Sequence, residues 1–144
     1  MPRTPEAMLS KTADPLLLVG RFLLALIFLH ESMTLATGFA ASTSAMSKVG
    51  IPSYMLVLTI LLQLGAGLMV ALGWHARLGS LSLGLFCLAT AVLFHSNFAI
   101  RNELLHFEKD LAIAGGMFVL TATGAGALSL DRAFRRRQLF RYAA

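Results

Sequence analysis

Few side chains in this 144-residue chain can do chemistry, and most of them are expected at one place. His30, Glu31, His95, Asn97, His106, Glu108, Lys109 and Asp110 come from separate segments whose ends should meet near one membrane face. Such a set suits three readings. His30, His95 and His106, with carboxylates nearby, are the donor types that hold zinc, copper or iron, although they form no HxxxH pair on one helix. A proton or quinone site uses the same residues differently. A neutral histidine donates to a quinone carbonyl, while a nearby acid supplies or accepts the coupled proton. Glu31 and His95 would then handle the proton, with Arg21 and Lys109 anchoring an anionic or carbonyl oxygen. In the third reading these polar groups only satisfy one another at the membrane surface.

Arg21 lies about one and a half turns into the first apolar stretch. Its long stem would let it snorkel to the headgroups. Facing inward instead, it would bind an anionic or carbonyl oxygen. Its spacing from His30 corresponds to about 900° of helix, so the two point to opposite faces. Glu31 is nearer in azimuth but ~15 Å further along the axis, too far for a direct pair. A carboxylate there wants a cation or a proton, and His95, Arg101, His106 and Lys109 are expected at the same depth. Gln63, near the middle of the second apolar stretch, is expected to hydrogen-bond across the bundle for about 1 kcal/mol or less. Cys87 is the single cysteine, so an intrachain disulfide and a CxxC redox pair are both excluded. It reads as a small buried apolar residue.

Four apolar stretches must position these groups: 16–36, 54–73, 78–100 and 111–130. Each approaches or exceeds the length a helix needs to cross roughly 30 Å of hydrocarbon, and they show almost no polar face. With 57% hydrophobic and 13% charged residues, the composition lies outside the soluble range. The expected fold class is all-α, a four-transmembrane-helix bundle with N and C termini cytoplasmic. Residues 1–15 form a polar leader, 16–131 the membrane domain and 132–144 a basic tail. The termini and the joint 74–77 carry Arg3, Lys11, Arg77 and the C-terminal arginines, whereas the other side has only Lys48, Arg101 and Lys109. That asymmetry sets the orientation by the positive-inside rule. The leader mixes acids with bases and His30-Glu31 precedes any cleavage site, which argues against a cleaved signal peptide.

The net charge of +5 does not point to nucleic acid. Arg132, Arg135, Arg136, Arg137 and Arg141 crowd the tail directly after the last apolar stretch, where the positive-inside rule and the attraction of anionic headgroups account for them. Residues 37–53 read as a longer outer loop closing on Gly50-Ile51-Pro52-Ser53, with Pro52 suited to the first turn of the second helix. Trp74-His75-Ala76-Arg77 reads as a tight hairpin with an interfacial tryptophan. Small residues four apart, at Ser80 and Gly84, Ala112 and Gly116, and Ala122 and Gly126, let helices approach closely and suit a compact bundle or a homo-oligomer. Gly124 and Gly126 are expected within the fourth helix, with no preceding strand, so they form no nucleotide loop.

The order of several short motifs resembles the DoxX family of small four-helix membrane proteins. The matching residues are Arg21, Val49-Gly50-Ile51-Pro52, Gln63-Leu64-Gly65-Ala66-Gly67-Leu68 with Gly73, Arg77-Leu78-Gly79, Phe107-Glu108-Lys109-Asp110-Leu111-Ala112-Ile113-Ala114-Gly115-Gly116, and Ser129-Leu130-Asp131. The resemblance covers residues 16–131. It implies a multi-pass protein of the inner (plasma) membrane. The family's namesake is similar to a subunit of a membrane thiosulfate:quinone oxidoreductase, and other members are tied to oxidative-stress complexes. The resemblance therefore implies a quinone- or oxidoreductase-associated subunit, with a quinone as cofactor and a soluble oxidoreductase or another subunit as partner. A non-enzymatic scaffold, a small-solute carrier and a metal-handling protein are the alternatives. Many relatives carry an acid where this chain has Gln63, and a glycine and then a lysine where it has Glu31 and Thr34. No haem, flavin or iron–sulfur ligation pattern is present, so electrons would have to come from a bound group or a partner.

Overall fold

The computed structural model describes residues 5–48 and 50–142, with side chains described over 13–48 and 50–136. Helices account for nearly all of them: α1 (Pro5–Thr37), α2 (Phe39–Lys48), α3 (Ser53–Leu72), α4 (Ala76–Phe94), α5 (Arg101–Thr123) and α6 (Leu130–Tyr142). The four long helices α1, α3, α4 and α5 pack in a ring, α1 against α3 and α5, and α4 against α3 and α5. Three of them are long and apolar enough to cross a membrane: Ala13–Thr37, Ser53–Leu72 and Ala76–Phe94. The first three expected spans are therefore present with boundaries shifted by a few residues.

The fourth differs. Where an apolar helix over 111–130 is expected, α5 starts ten residues earlier, at Arg101, and stops at Thr123. Its first ten residues contain five charged side chains, which keeps the helix as a whole from reading as uniformly apolar. It ends because Gly124 turns to φ 80°, ψ −176° and Gly126 to φ 75°, conformations outside a helix that L side chains resist. Gly124 and Gly126 thus terminate the helix rather than lying inside it, and Gly126 cannot pair with Ala122 as a helical small-residue motif. Residues 124–129 form an irregular connector, and the basic tail then folds as α6.

Two other segments are more helical than their composition suggests. The leader is continuous with the first span from Pro5 on, with Pro15 inside α1 at the loss of one backbone bond. Most of the stretch read as an outer loop forms α2, none of whose residues is buried. Phe39–Lys48 contains neither glycine nor proline, and the breakers sit outside it at Gly38, Gly50 and Pro52. Pro52 occupies the N-cap of α3, in extended conformation, rather than the first turn.

Packing explains why this is a bundle suited to lipid. The core consists largely of small or slender residues, Ala25, Ala66, Ala71, Cys87, Ala91 and Ala114 with Phe28, Val70, Leu83, Met117 and Leu120. The large apolar side chains Leu16, Leu23, Leu26, Leu61, Leu85, Val92 and Val119 face outward. Water would expel such a surface, and hydrocarbon accepts it without cost. Close approach does the rest. A Cβ on Gly84 would lie 2.8 Å from the Phe118 ring, so only glycine lets α4 reach α5 there. Ser80 and Thr121 join the same two helices by a 2.9 Å hydroxyl pair. Cys87 is buried in α4, as its reading as a small apolar residue implies.

Candidate functional site

The hairpin ladder of the bundle gives it two polar ends, and the candidate residues divide between them. α4 runs from one end to the other and is ~28 Å long at about 1.5 Å per residue.

At the C-terminal end of α4, His95 is the cap residue and its N–H donates to Ala91 O at 3.1 Å. Ser96 to Ile100 make the short turn that brings α5 back antiparallel, with the Phe98 N–H donating to Ser96 O and the Ile100 N–H to Asn97 O, both at 3.1 Å. Phe98 and Phe107 lock this turn edge to face, centroids 5.0 Å apart at 74°. Glu103 then lies in the first turn of α5, where the helix N-terminus favours a carboxylate. Its Oε2 is 2.7 Å from His95 Nδ1, with side chains 29% and 26% exposed, so solvent or a ligand can reach the pair. When the Glu103 carboxylate is ionised it can only accept, which places the hydrogen on Nδ1 and leaves Nε2 for a third party. His106, one turn after Glu103, stacks on His95 with centroids 5.0 Å apart and planes 22° apart. Nearby, Thr90 Oγ1 donates to Asp110 Oδ2 at 3.2 Å, a second polar tie between α4 and α5.

Of the expected residues, His95 and His106 are therefore brought together. His30 and Glu31 are exposed on α1, and Lys109 is exposed on α5. Glu31 and Lys109 have no hydrogen bond to another side chain among the described residues. The set His30, His95 and His106 is not gathered: among the described residues no group of three or more His, Cys, Asp or Glu is placed to hold a metal ion. Near-parallel imidazoles direct their in-plane lone pairs along separate planes rather than at one point ~2.0–2.1 Å from each. Sequence reasoning missed Glu103, the actual partner of His95. The available signal was the three-residue spacing of Glu103 and His106, which puts both on one helical face.

Arg21 lies at the other end and does not snorkel. It is 2% exposed. Its Nε donates to Ala71 O at 3.2 Å, its Nη1 to Ala125 O at 2.6 Å and its Nη2 to Leu128 O at 2.9 Å. It thus binds carbonyl oxygens as the inward reading requires, but they are the protein's own. The guanidinium clamps the end of α3 to the connector 124–129, far from His95. Two acids complete this arrangement. Asp14 Oδ1 accepts from the Ala127 N–H at 2.7 Å. The Asp131 carboxylate accepts from the N–H groups of His75 at 2.9 Å and Ala76 at 3.4 Å, capping α4. His75 needs that support because its backbone sits in the left-handed region at φ 47°. Gly73 closes α3 at φ 67°, and a Cβ there would lie 2.8 Å from Arg21 Nη1 and 2.6 Å from Ser129 Cβ.

Gln63 is 4% exposed in α3, but its Oε1 has no hydrogen-bond partner, so the expected bond across the bundle is not made by that atom.

The DoxX family profile matches residues 16–96. The chain is 40% identical to the inner membrane protein YqjF of Escherichia coli (strain K12) over 129 residues, which cover 90% of this chain and 99% of that relative. It is 31% identical to the inner membrane protein YphA of the same organism over 124 residues, covering 81% of this chain and 89% of that relative. No solved structure gives a significant match.

Proposed function

Because the chain belongs to the DoxX family of integral membrane proteins, we propose that it is the membrane subunit of a quinone-linked redox complex, using His95, Glu103 and His106 to handle the coupled proton. It is a multi-pass protein of the inner membrane. In this reading α5 is the fourth span, both termini are cytoplasmic and the His95 end faces the opposite side. The basic residues at the termini and at Arg77 support that orientation.

One observation carries the reading, the 2.7 Å bond between His95 Nδ1 and Glu103 Oε2 in a half-buried position. Glu103 fixes the tautomer and orientation of the ring. His95 Nε2 can then hold a proton as a donor of the kind a quinone carbonyl accepts, and give it up when negative charge develops there. The stacked His106 ring holds the imidazole plane in place. A quinone bound at this end would supply the two-electron chemistry, with the electrons delivered by a soluble oxidoreductase partner. Glu31 and Lys109 lie toward the same end and supply further charge, whereas Arg21 serves the fold.

The test is quinone retention after mild extraction from the native membrane, compared between the natural protein and His95→Gln and Glu103→Gln. A stoichiometric quinone that both substitutions deplete is the expected result. A natural protein that retains none, in membranes whose quinone reduction is unchanged by deleting the chain, would replace this reading with a scaffold or small-solute carrier.

A further inference from the structure

Two cavities adjoin at the Arg21 end, and their linings are opposite in character. The first is an open cleft of about 800 Å³ whose basic lining comes from Arg77 at the start of α4 and Arg132, Arg135 and Arg136 on α6. The three α6 arginines follow an i, i+3, i+4 spacing, so one helical face presents them together. The acid in the same cleft, Asp131, has its carboxylate turned to the amides of His75 and Ala76, which leaves the lining dominated by cations. The second is a groove of about 530 Å³ between α1 and α5, lined almost wholly by apolar atoms. On α1 its floor is Ala13, Leu16, Leu17, Gly20 and Leu24, a single helical stripe ~16 Å long. Gly20 keeps it open: a Cβ there would meet nothing within 4 Å. Thr123, the last residue of α5, lines both cavities and joins them.

We propose that the cleft and groove together bind one anionic glycerophospholipid, its phosphate among Arg77, Arg132, Arg135 and Arg136 and one acyl chain along the α1–α5 groove. The juxtaposition matches the molecule: arginine forks bind phosphate oxygens bidentately, and an apolar channel leading from them along the helices receives the chain. A free phosphate explains the cleft but not the groove, and a neutral apolar molecule explains the groove but not the arginines. A lipid so held would splint α1 to α5, the most sparsely packed neighbours in the ring, and would keep α6 on the membrane surface.

The test uses the full chain in nanodiscs of phosphatidylcholine with increasing phosphatidylglycerol, followed by native mass spectrometry of the lipids retained on mild release. The natural protein is expected to retain phosphatidylglycerol in clear preference to phosphatidylcholine. Replacing Arg132, Arg135 and Arg136 by Gln should weaken that retention on the order of a hundredfold, since each basic side chain near a charged surface contributes about fivefold. Gly20→Leu, which fills the groove from an open position, should weaken retention of both lipids while leaving the charge preference. Gly20→Leu also keeps the proposal testable if the triple variant fails to fold. Equal retention of the two lipids by the natural protein would overturn the proposal. So would a Gly20→Leu protein that holds phosphatidylglycerol unchanged, or displacement of the lipid by inorganic phosphate at equal concentration, which would make the cleft a site for the free anion.

Discussion

Arg21→Met removes the clamp at one end of the bundle while keeping a side chain of similar reach. Three carbonyls lose their donor, and the bonds to Ala71 O and Ala125 O are buried, whereas the bond to Leu128 O is only partly so. An unpaired buried acceptor costs about 1–3 kcal/mol. Bonds between membrane helices measure lower, averaging ~0.6 and reaching ~1.7 kcal/mol, because the unfolded chain in lipid finds other partners. Taking the upper part of that range for two charge-assisted bonds, and offsetting some of it by the relieved burial of the guanidinium, the substitution should cost about 2 kcal/mol. Arg21→Lys keeps the charge but offers a compact ammonium in place of a planar fork, and should recover only about half of this. Reversible unfolding of the detergent-solubilised protein by increasing dodecyl sulfate reads the stability. Limited proteolysis of 124–129 reads the local effect, since the connector loses two of its tethers. Arg21→Met within ~0.5 kcal/mol of the natural protein, with the connector equally protected, would refute the argument that these bonds hold the end together.

Gln63→Met should stabilise the bundle by about 1 kcal/mol, because Oε1 is buried without a partner and methionine fills a similar volume; a loss of stability in the same unfolding assay would show that the amide makes a contact worth keeping. Asp131→Ala should cost about 1 kcal/mol through the lost cap and speed hydrogen exchange at the amides of His75 and Ala76. His75→Gly in that background should recover part of the loss, since glycine adopts the left-handed conformation freely; no recovery would mean that the strain at His75 is negligible.

Apolar length made the three spans in α1, α3 and α4 legible, since a run such as Ser53–Leu72 has no alternative to a lipid-facing or buried helix. The fourth helix was misplaced because apolarity and helicity diverge there. Residues 101–110 are helical yet charged, and 124–129 are apolar yet not helical. The same divergence concealed α2, whose serines and threonines read as loop. At the candidate site, histidines were visible as residue types, but Glu103 was lost among several acids because its pairing depends on how sharply the chain turns at Ser96–Ile100. Arg21 was visible as a charge in an apolar helix. Its acceptors were not, because backbone carbonyls carry no sequence signature and become available only where a connector leaves the helix.

The Arg21 clamp also orders events in time. Its acceptors at Ala125 and Leu128 lie 104 and 107 residues downstream. At about 5–20 residues per second, a ribosome takes roughly 5–20 s to make that distance. For that interval the first helix carries an arginine near one end of its apolar stretch, whose long stem can reach the headgroups and whose one acceptor already made is Ala71 O. A nascent chain that stalls before the connector emerges leaves the Arg21 guanidinium with Ala71 O as the one of its three acceptors already made.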